Sequence, residues 1–107
     1  MTQAELMTVL ESTGLPVAYG EFIDIAPPPP FITYQNPGSN DLFADNHNYV
    51  DIQEYQVELY TIKKEPETEK LLIDKFKELH IPYERFESPV RVDGMIQNVY
   101  TIQAIGG

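Results

Sequence analysis

The residues with the clearest capacity for chemistry lie close together in the first half of the chain. Asp41, Asp45, His47 and Asp51 bring three carboxylates and one imidazole within eleven residues, and such groups can bind a divalent cation. Their spacing matches neither a calcium-binding loop nor a zinc motif. We therefore interpret the segment as a hydrated loop without a metal, and a cation site is the alternative.

Catalytic motifs are equally hard to find elsewhere. General acid-base catalysis needs two carboxylates in one cleft, and the acidic residues are spread singly along the predicted strands and loops. The histidines are His47 and His80, and Ser12, Ser39 and Ser88 are not in a nucleophile-elbow context. The six glycines form no phosphate-binding loop. We predict that the protein is not an enzyme and has no cofactor, and a small enzyme of unrecognised mechanism remains an alternative.

Length and composition indicate one modest domain spanning residues 1–107. The chain has no cysteine, which excludes disulfides and thiolate chemistry and fits a reducing compartment. It shows neither a signal peptide nor an apolar run long enough to cross a membrane. We expect a soluble protein that is made in the cytoplasm and has no membrane partner.

Charge is distributed very unevenly. The formal net charge is −10, all seven Lys and Arg residues lie between positions 63 and 91, and residues 1–62 hold nine acids with no Lys or Arg. This balance argues against binding to a phosphate backbone. A solvated acidic surface explains the pattern most simply. The alternatives are a polarised subunit that joins other copies, acidic side to basic side, or a passage through which DNA slides without binding.

The stretch Tyr49 to Ile62 predicts one long, bent strand. Tyr55, Val57 and Leu59 alternate with polar residues, as in a half-buried strand. Val50 and Ile52 have the opposite parity, so either both faces are covered there or an extra residue near Gln53 shifts the phase. Such length is typical of a strand that serves more than its own sheet.

Other segments predict an α+β fold. A capping box at Thr2 and Glu5 opens a helix over about residues 3–13, and its one apolar stripe is predicted to dock on a sheet. Pro66 opens a second helix, which ends near His80, and its predicted buried stripe is Leu72, Ile73, Phe76 and Leu79. His80 is predicted to cap the last carbonyls of that helix. Residues 17–25 predict a short strand or extended edge segment, 27–30 a polyproline II spacer, 31–35 a core strand, and 83–105 a hairpin that turns at Asp93-Gly94. We expect a mostly antiparallel sheet of about four or five strands, two helices on one face and a long protruding loop.

That loop covers residues 36–48 and is rich in turn-forming residues. It also contains Leu42 and Phe43, which a purely solvated loop does not need. Loops of this length are usually disordered or functional. We predict that it contacts a partner through Leu42 and Phe43. The alternative is that these two side chains pack on the subunit's own core.

Several of these segments together resemble the small tail-completion or tail-terminator proteins of tailed bacteriophages. The resemblance covers almost the whole chain in order and rests on LPVAYGEF, PPPPFITY, SNDLFADNHNY, VELYT, LLIDKFKELHIPY and GMIQNVYTI. It implies an α+β subunit that closes into a ring, expected to be a hexamer, which caps the tail tube and joins it to the head. It also implies that Leu42, Phe43, Asp45 and Tyr49 make subunit and tube contacts.

The function expected from this resemblance is virion assembly. The partners are other copies of the chain, the tail tube protein and the head-tail connector protein, with DNA passing through without specific binding. The expected location is the virion, and the host cytoplasm during assembly. Asp41, Asp51, Glu54 and Glu58 are predicted to line an acidic lumen. The competing hypothesis is an acidic DNA mimic that inhibits a nucleic-acid enzyme.

Overall fold

Two helices and seven strands make up the described part of the chain. The computed structural model describes residues 2–39, 42–44, 47–50 and 52–105, with side chains over 2–37 and 53–103. The molecule measures 48 × 28 × 26 Å. The elements in order are α1 (Gln3–Glu11), β1 (Val17–Tyr19), β2 (Phe31–Ser39), β3 (Leu42–Ala44), β4 (His47–Val50), β5 (Ile52–Thr61), α2 (Pro66–Glu78), β6 (Tyr83–Glu87) and β7 (Ile96–Ile105).

Five strands form one mixed sheet in the order β1-β2-β5-β7-β6, and β3 pairs with β4 in a separate two-stranded sheet. Only β1 and β2 run parallel within the larger sheet. Both helices pack on one face of that sheet, where their apolar residues join a single cluster with those of the strands. The predicted α+β fold class is confirmed.

The core lies between the helices and this face. Side chains at alternate positions of a strand share a face, and the alternation in β5 places Tyr55, Val57 and Leu59 under the helices. The other core residues are Leu6, Leu10, Ile32, Tyr34, Leu72, Phe76, Ile81, Tyr100 and Ile102.

Helix α1 begins as predicted. The Thr2 hydroxyl accepts a hydrogen bond from the Glu5 amide at 3.1 Å, and the Glu5 carboxylate accepts one from the Thr2 amide at 3.3 Å. This reciprocal pair satisfies two amide groups that a helix start leaves without partners. Leu6 and Leu10 are fully buried, so the predicted apolar stripe docks on the sheet.

The predicted division into one long strand and one long loop is wrong. The segment 49–62 contributes to β4 and β5, which lie in different sheets, and the segment 36–48 contains the end of β2 together with β3 and the start of β4. Residues 36–38 look like a turn because they read Asn-Pro-Gly. They remain in β2 because a bulge there sets Asn36 and Pro37 opposite Tyr55, and a bulge is a position where a strand tolerates proline.

An extra residue near Gln53, one of the two explanations for the change of parity, is not found in β5. The other explanation, that both faces are covered at that end, concerns side chains outside the described ones. β5 pairs with β7 from Ile52 to Thr61 without a change of register, whereas the register against β2 shifts between Gln35 and Gly38. The extra residue lies in β2, so β5 itself needs no bulge near Gln53.

Residues 20–30 connect β1 to β2 across the face opposite the helices. The Gly20 amide donates to the Tyr34 carbonyl at 2.7 Å. The Phe22 ring packs edge-on against Phe31, with 5.2 Å between ring centroids. The prolines do not form the continuous polyproline II spacer that the sequence predicts, because the chain bends at residues 28–30. The Pro29-Pro30 peptide bond is cis.

Helix α2 starts with Pro66 in its first turn and buries Leu72 and Phe76, as predicted. Leu79 was expected in the buried stripe but is 45% exposed, and Glu69 is buried instead. Glu69 can be buried because basic side chains from outside the helix reach its carboxylate.

The end of α2 is a Schellman motif. The Ile81 amide donates to the Phe76 carbonyl at 2.8 Å, and the His80 amide donates to the Lys77 carbonyl at 3.2 Å. His80 has φ of 56°, the left-handed conformation that glycine usually adopts at this position. The predicted capping of the last carbonyls by His80 is thus made by its backbone.

The predicted C-terminal hairpin is present. Asp93 and Gly94 both have positive φ, and Val92 and Met95 exchange two backbone hydrogen bonds of 2.9 Å. This geometry is a type I′ turn. β6 ends at Glu87, before Pro89, and lies at the edge of the sheet, as expected for a strand that runs into a proline.

Candidate functional site

The residues predicted to make subunit contacts fall on the β3 and β4 pair. Leu42 and Phe43 belong to β3 and Tyr49 to β4, whereas Asp45 lies outside the described residues. Phe43 is paired with Asn48. The last paired residues of β2 and β5 at this end are Ser39 and Gln53, so β3 and β4 are inserted in the chain at that end of the large sheet. We call them the distal hairpin.

The predicted lumen acids divide into two groups. Asp41 and Asp51 lie outside the described residues. Glu54 and Glu58 are four residues apart in β5 and therefore share the face of the sheet opposite the helices. Glu54 lines a shallow groove of about 470 Å³ together with Pro82, Glu84 and Gln103, among others.

Glu58 lies inside a hydrogen-bonded group on this face. It is only 7% exposed, and its carboxylate accepts hydrogen bonds from the Thr33 hydroxyl at 2.5 Å and from the Gln35 side-chain Nε2 at 2.9 Å. Both donors are uncharged and come from β2, the strand next to β5. Because the carboxylate has partners within the subunit, Glu58 holds β2 to β5, and its place in a lumen stays a prediction.

A second buried polar group lies beneath α2. The Glu69 carboxylate lies 2.8 Å from the Lys64 ammonium and 3.1 Å from an Arg85 guanidinium nitrogen. Glu87 contacts the same two cations at 2.7 and 3.3 Å. Arg85 also donates to the Asn98 side chain at 3.0 Å. The ion pairs join the start of α2 to the edge strand β6, and the hydrogen bond from Arg85 to Asn98 joins β6 to β7.

The pKa values of Lys64 and Tyr100 are both raised in and beside this group. Hydrogen bonds to Glu69 and then to Glu87 raise the pKa of Lys64. Burial is the largest cause that raises the pKa of Tyr100 to about 12, and the negative charge of Glu69 adds to it. A phenol that holds its proton so firmly is not suited to act as a base or nucleophile near neutral pH. The arrangement therefore fits structural ion pairing better than catalysis.

The structure can be compared with the predictions on cation binding and membrane insertion only for the described residues. Within it, no group of three or more histidine or acidic residues could hold a metal ion. Three of the four candidate ligands, Asp41, Asp45 and Asp51, lie outside it. None of the described helices is both long and apolar enough to cross a membrane.

Among the described side chains, the sequence did not indicate which apolar ones are most exposed. Ile23 and Ile25 are 86% and 89% exposed, although their alternation with Phe22 and Asp24 suggested strand structure. We call residues 21–25 the isoleucine spur. The pattern alone could not identify it, because alternating apolar and acidic residues also fit an edge strand.

Comparisons with known proteins add no family to these observations. No protein-family model matches the chain, and no curated protein matches it.

Proposed function

We propose that this protein is a structural subunit of a tailed-bacteriophage virion, related in role to tail-completion or tail-terminator proteins. In this role, several copies form a ring, a hexamer in the particle. The ring caps the tail tube and joins it to the head-tail connector protein. DNA passes through the ring without specific binding, and the subunit performs no reaction of its own.

The observation that carries the proposal is the distal hairpin. It follows the end at which the pairing of β2 and β5 stops. The core lies elsewhere, between the helices α1 and α2 and one face of the large sheet. A ring subunit needs such a division, because the body must remain folded while another segment reaches a neighbour or the next ring.

The two buried polar groups support the same role. Glu58 and Glu69 are bonded to residues of neighbouring elements, and buried carboxylates with such partners fix the arrangement of the elements that hold them. A rigid body of this kind suits a subunit whose work is to keep its contact surfaces in place.

The proposal is tested with tail tubes purified from particles that lack the terminator. We expect the wild-type protein to bind the tube end as a ring, visible by electron microscopy and as a defined oligomer by native mass spectrometry. The double variant Leu42→Ser/Phe43→Ser should remain folded but lose this binding. The matched control is Leu71→Ser on α2, where an exposed leucine is replaced outside the hairpin.

Two results would overturn the proposal. The first is a wild-type protein that does not bind tube ends at any concentration. The second is competition with DNA for a nucleic-acid enzyme, which would favour the DNA-mimic hypothesis.

A further inference from the structure

The isoleucine spur is attached to the sheet at its start, although Ile23 and Ile25 are exposed. Before it, the Gly20 amide donates to the Tyr34 carbonyl. Within it, Phe22 packs on Phe31, which stacks on Tyr60 with 5.1 Å between ring centroids. The chain is thus attached to the sheet while Ile23 and Ile25 point away from the subunit's own core. Two nearly fully exposed isoleucines on an anchored turn are unusual for a subunit that works alone.

The spur is also acidic. Glu21 and Asp24 are exposed beside the isoleucines, and neither takes part in an ion pair among the described residues. A surface that covers the spur should therefore offer apolar side chains together with positive charge.

The same chain carries a surface of that kind. Ile62 and Val90 are 55% and 72% exposed, and each is next in sequence to an exposed cation, Lys63 or Arg91. One Arg91 guanidinium nitrogen donates to the Ile62 carbonyl at 2.6 Å, which holds the two short segments together. We call these four residues the basic patch.

The charges of the basic patch are available to a partner. Neither Lys63 nor Arg91 forms an ion pair within the described part of the chain. Within two residues in sequence of the basic patch, the cations Lys63, Lys64 and Arg91 outnumber the acids Glu65 and Asp93 by one. The patch and the spur thus match in composition, with two apolar side chains each and opposite charges.

We propose that the isoleucine spur of one copy docks on the basic patch of a second copy. This inference rests on the proposed function and deepens it by naming the contact between subunits. The contact buries Ile23 and Ile25 against Ile62 and Val90, and it places the spur carboxylates beside Lys63 and Arg91. Apolar burial supplies affinity, and the charges favour one orientation.

The proposed contact and the distal hairpin lie at opposite ends of the large sheet. The spur leads through the prolines to Phe31, which pairs with Tyr60, and Ile62 directly follows the end of β5. Both surfaces are therefore at the end of the large sheet away from the distal hairpin. Copies joined in this way leave their hairpins free to reach another ring.

The absence of cysteine in the native chain allows a direct cross-linking test. Purified Ile23→Cys and Val90→Cys proteins are mixed in equal amounts and oxidised, so that a spur-to-patch disulfide can form only between two copies. Random pairing makes the mixed dimer half of all dimers and twice as abundant as either homodimer. We expect the mixed dimer to form most of the disulfide-linked dimers, well above that one-half share. The control pairs Ile23→Cys with Leu71→Cys. A mixed dimer at or below the statistical share would overturn the inference.

Association measurements provide the second test. The variant Ile23→Ser/Ile25→Ser should fold normally, because both side chains are exposed, and should weaken self-association roughly 100-fold or more in sedimentation experiments. Lys63→Glu should also weaken association, and Glu21→Lys combined with it should restore part of the loss. Unchanged association of the double serine variant would overturn the inference.

The outcomes separate this contact from the proposed function. If the wild-type protein forms rings on tail tubes and the spur variants do so equally well, the inferred contact between spur and patch is wrong. The proposed ring function then stands. If the wild-type protein forms no ring on tail tubes, the proposed function fails, and the cross-linking result then decides alone whether the spur joins two copies.

Discussion

Thr33 and Glu58 face each other across β2 and β5, and the Thr33 hydroxyl donates a 2.5 Å hydrogen bond to the buried Glu58 carboxylate. Replacing Thr33 by valine keeps the shape of the side chain and removes this donor. We expect Thr33→Val to lower the free energy of unfolding by about 1–3 kcal/mol, because a buried charged group loses a partner. Urea unfolding measures the difference.

Thr101→Val is the matched control for this substitution. Thr101 lies in β7 on the same face and is more exposed, so its replacement should change the free energy of unfolding by about 0.5 kcal/mol or less. Equal losses for the two variants would show that the Thr33 effect comes from the loss of any hydroxyl on this face.

Stability should decline in alkaline solution because of Tyr100. Its folded pKa is raised from 10.0 to about 12, so between these values the unfolded chain releases a proton that the folded chain keeps. The unfolded state is then favoured as pH rises, and the stabilising contribution, complete below pH 10, is lost toward pH 12. The raised pKa of Lys64 acts in the same direction.

Tyr100→Phe should therefore make the loss of stability above pH 10 less steep. The measurement is the free energy of unfolding against pH, together with phenolate absorbance, in which a tyrosine that ionises near pH 12 should disappear. The control Tyr19→Phe removes a hydroxyl from a side chain that is 47% exposed. An alkaline profile that is identical in wild-type protein and Tyr100→Phe would contradict the assignment.

His80→Gly should stabilise the protein. His80 adopts φ of 56° at the end of α2, a conformation that glycine adopts without the steric cost of a Cβ atom. We expect a gain of about 1 kcal/mol in the free energy of unfolding, measured by chemical denaturation. His80→Ala keeps the Cβ atom and should give no comparable gain, and a loss with glycine would mean that the imidazole itself stabilises this turn.

The acidic-lumen hypothesis predicts slower genome exit when charge is reversed. Lysine at Glu54 together with Asp41, Asp45 and Asp51 should retain passing DNA electrostatically and slow its release severalfold. Glu58 is left unchanged because its carboxylate is buried. Release of DNA from assembled particles is timed against a control with lysine at Glu11, Glu67, Asp74 and Glu78, and equal rates would argue against an acidic lumen.

Local signals predicted much of the fold. The capping box at Thr2 and Glu5, proline at the start of α2 and the Asp93-Gly94 turn each depend on residues close together in sequence. The alternation in β5 also identified the core face of the central strand. These features follow from backbone geometry and from burial of one face, both of which a short window of sequence contains.

Long-range contacts explain what the sequence did not reveal. Glu58 appeared to be a solvated residue because its donors, Thr33 and Gln35, are 25 and 23 residues away. The burial of Glu69 could not be inferred from its position in the first helical turn, because it depends on the more distant Lys64 and Arg85. Pro37 indicated a turn because the neighbouring strand that accommodates it in a bulge is also distant. The predicted contact residues Leu42, Phe43 and Tyr49 lie in β3 and β4. Their roles in subunit and tube contacts remain predictions.

The central position of β5 has a consequence for how the subunit opens. Its amide and carbonyl groups are bonded on both sides, to β2 and to β7, whereas β6 and β1 each have one bonded neighbour. Amide protons in the middle of β5 should therefore exchange with solvent only when the whole sheet separates, while those of the outer strands exchange through small local openings. Exchange in β5 then reports global unfolding, and slower exchange confined to the spur and its surroundings would report contact with another molecule.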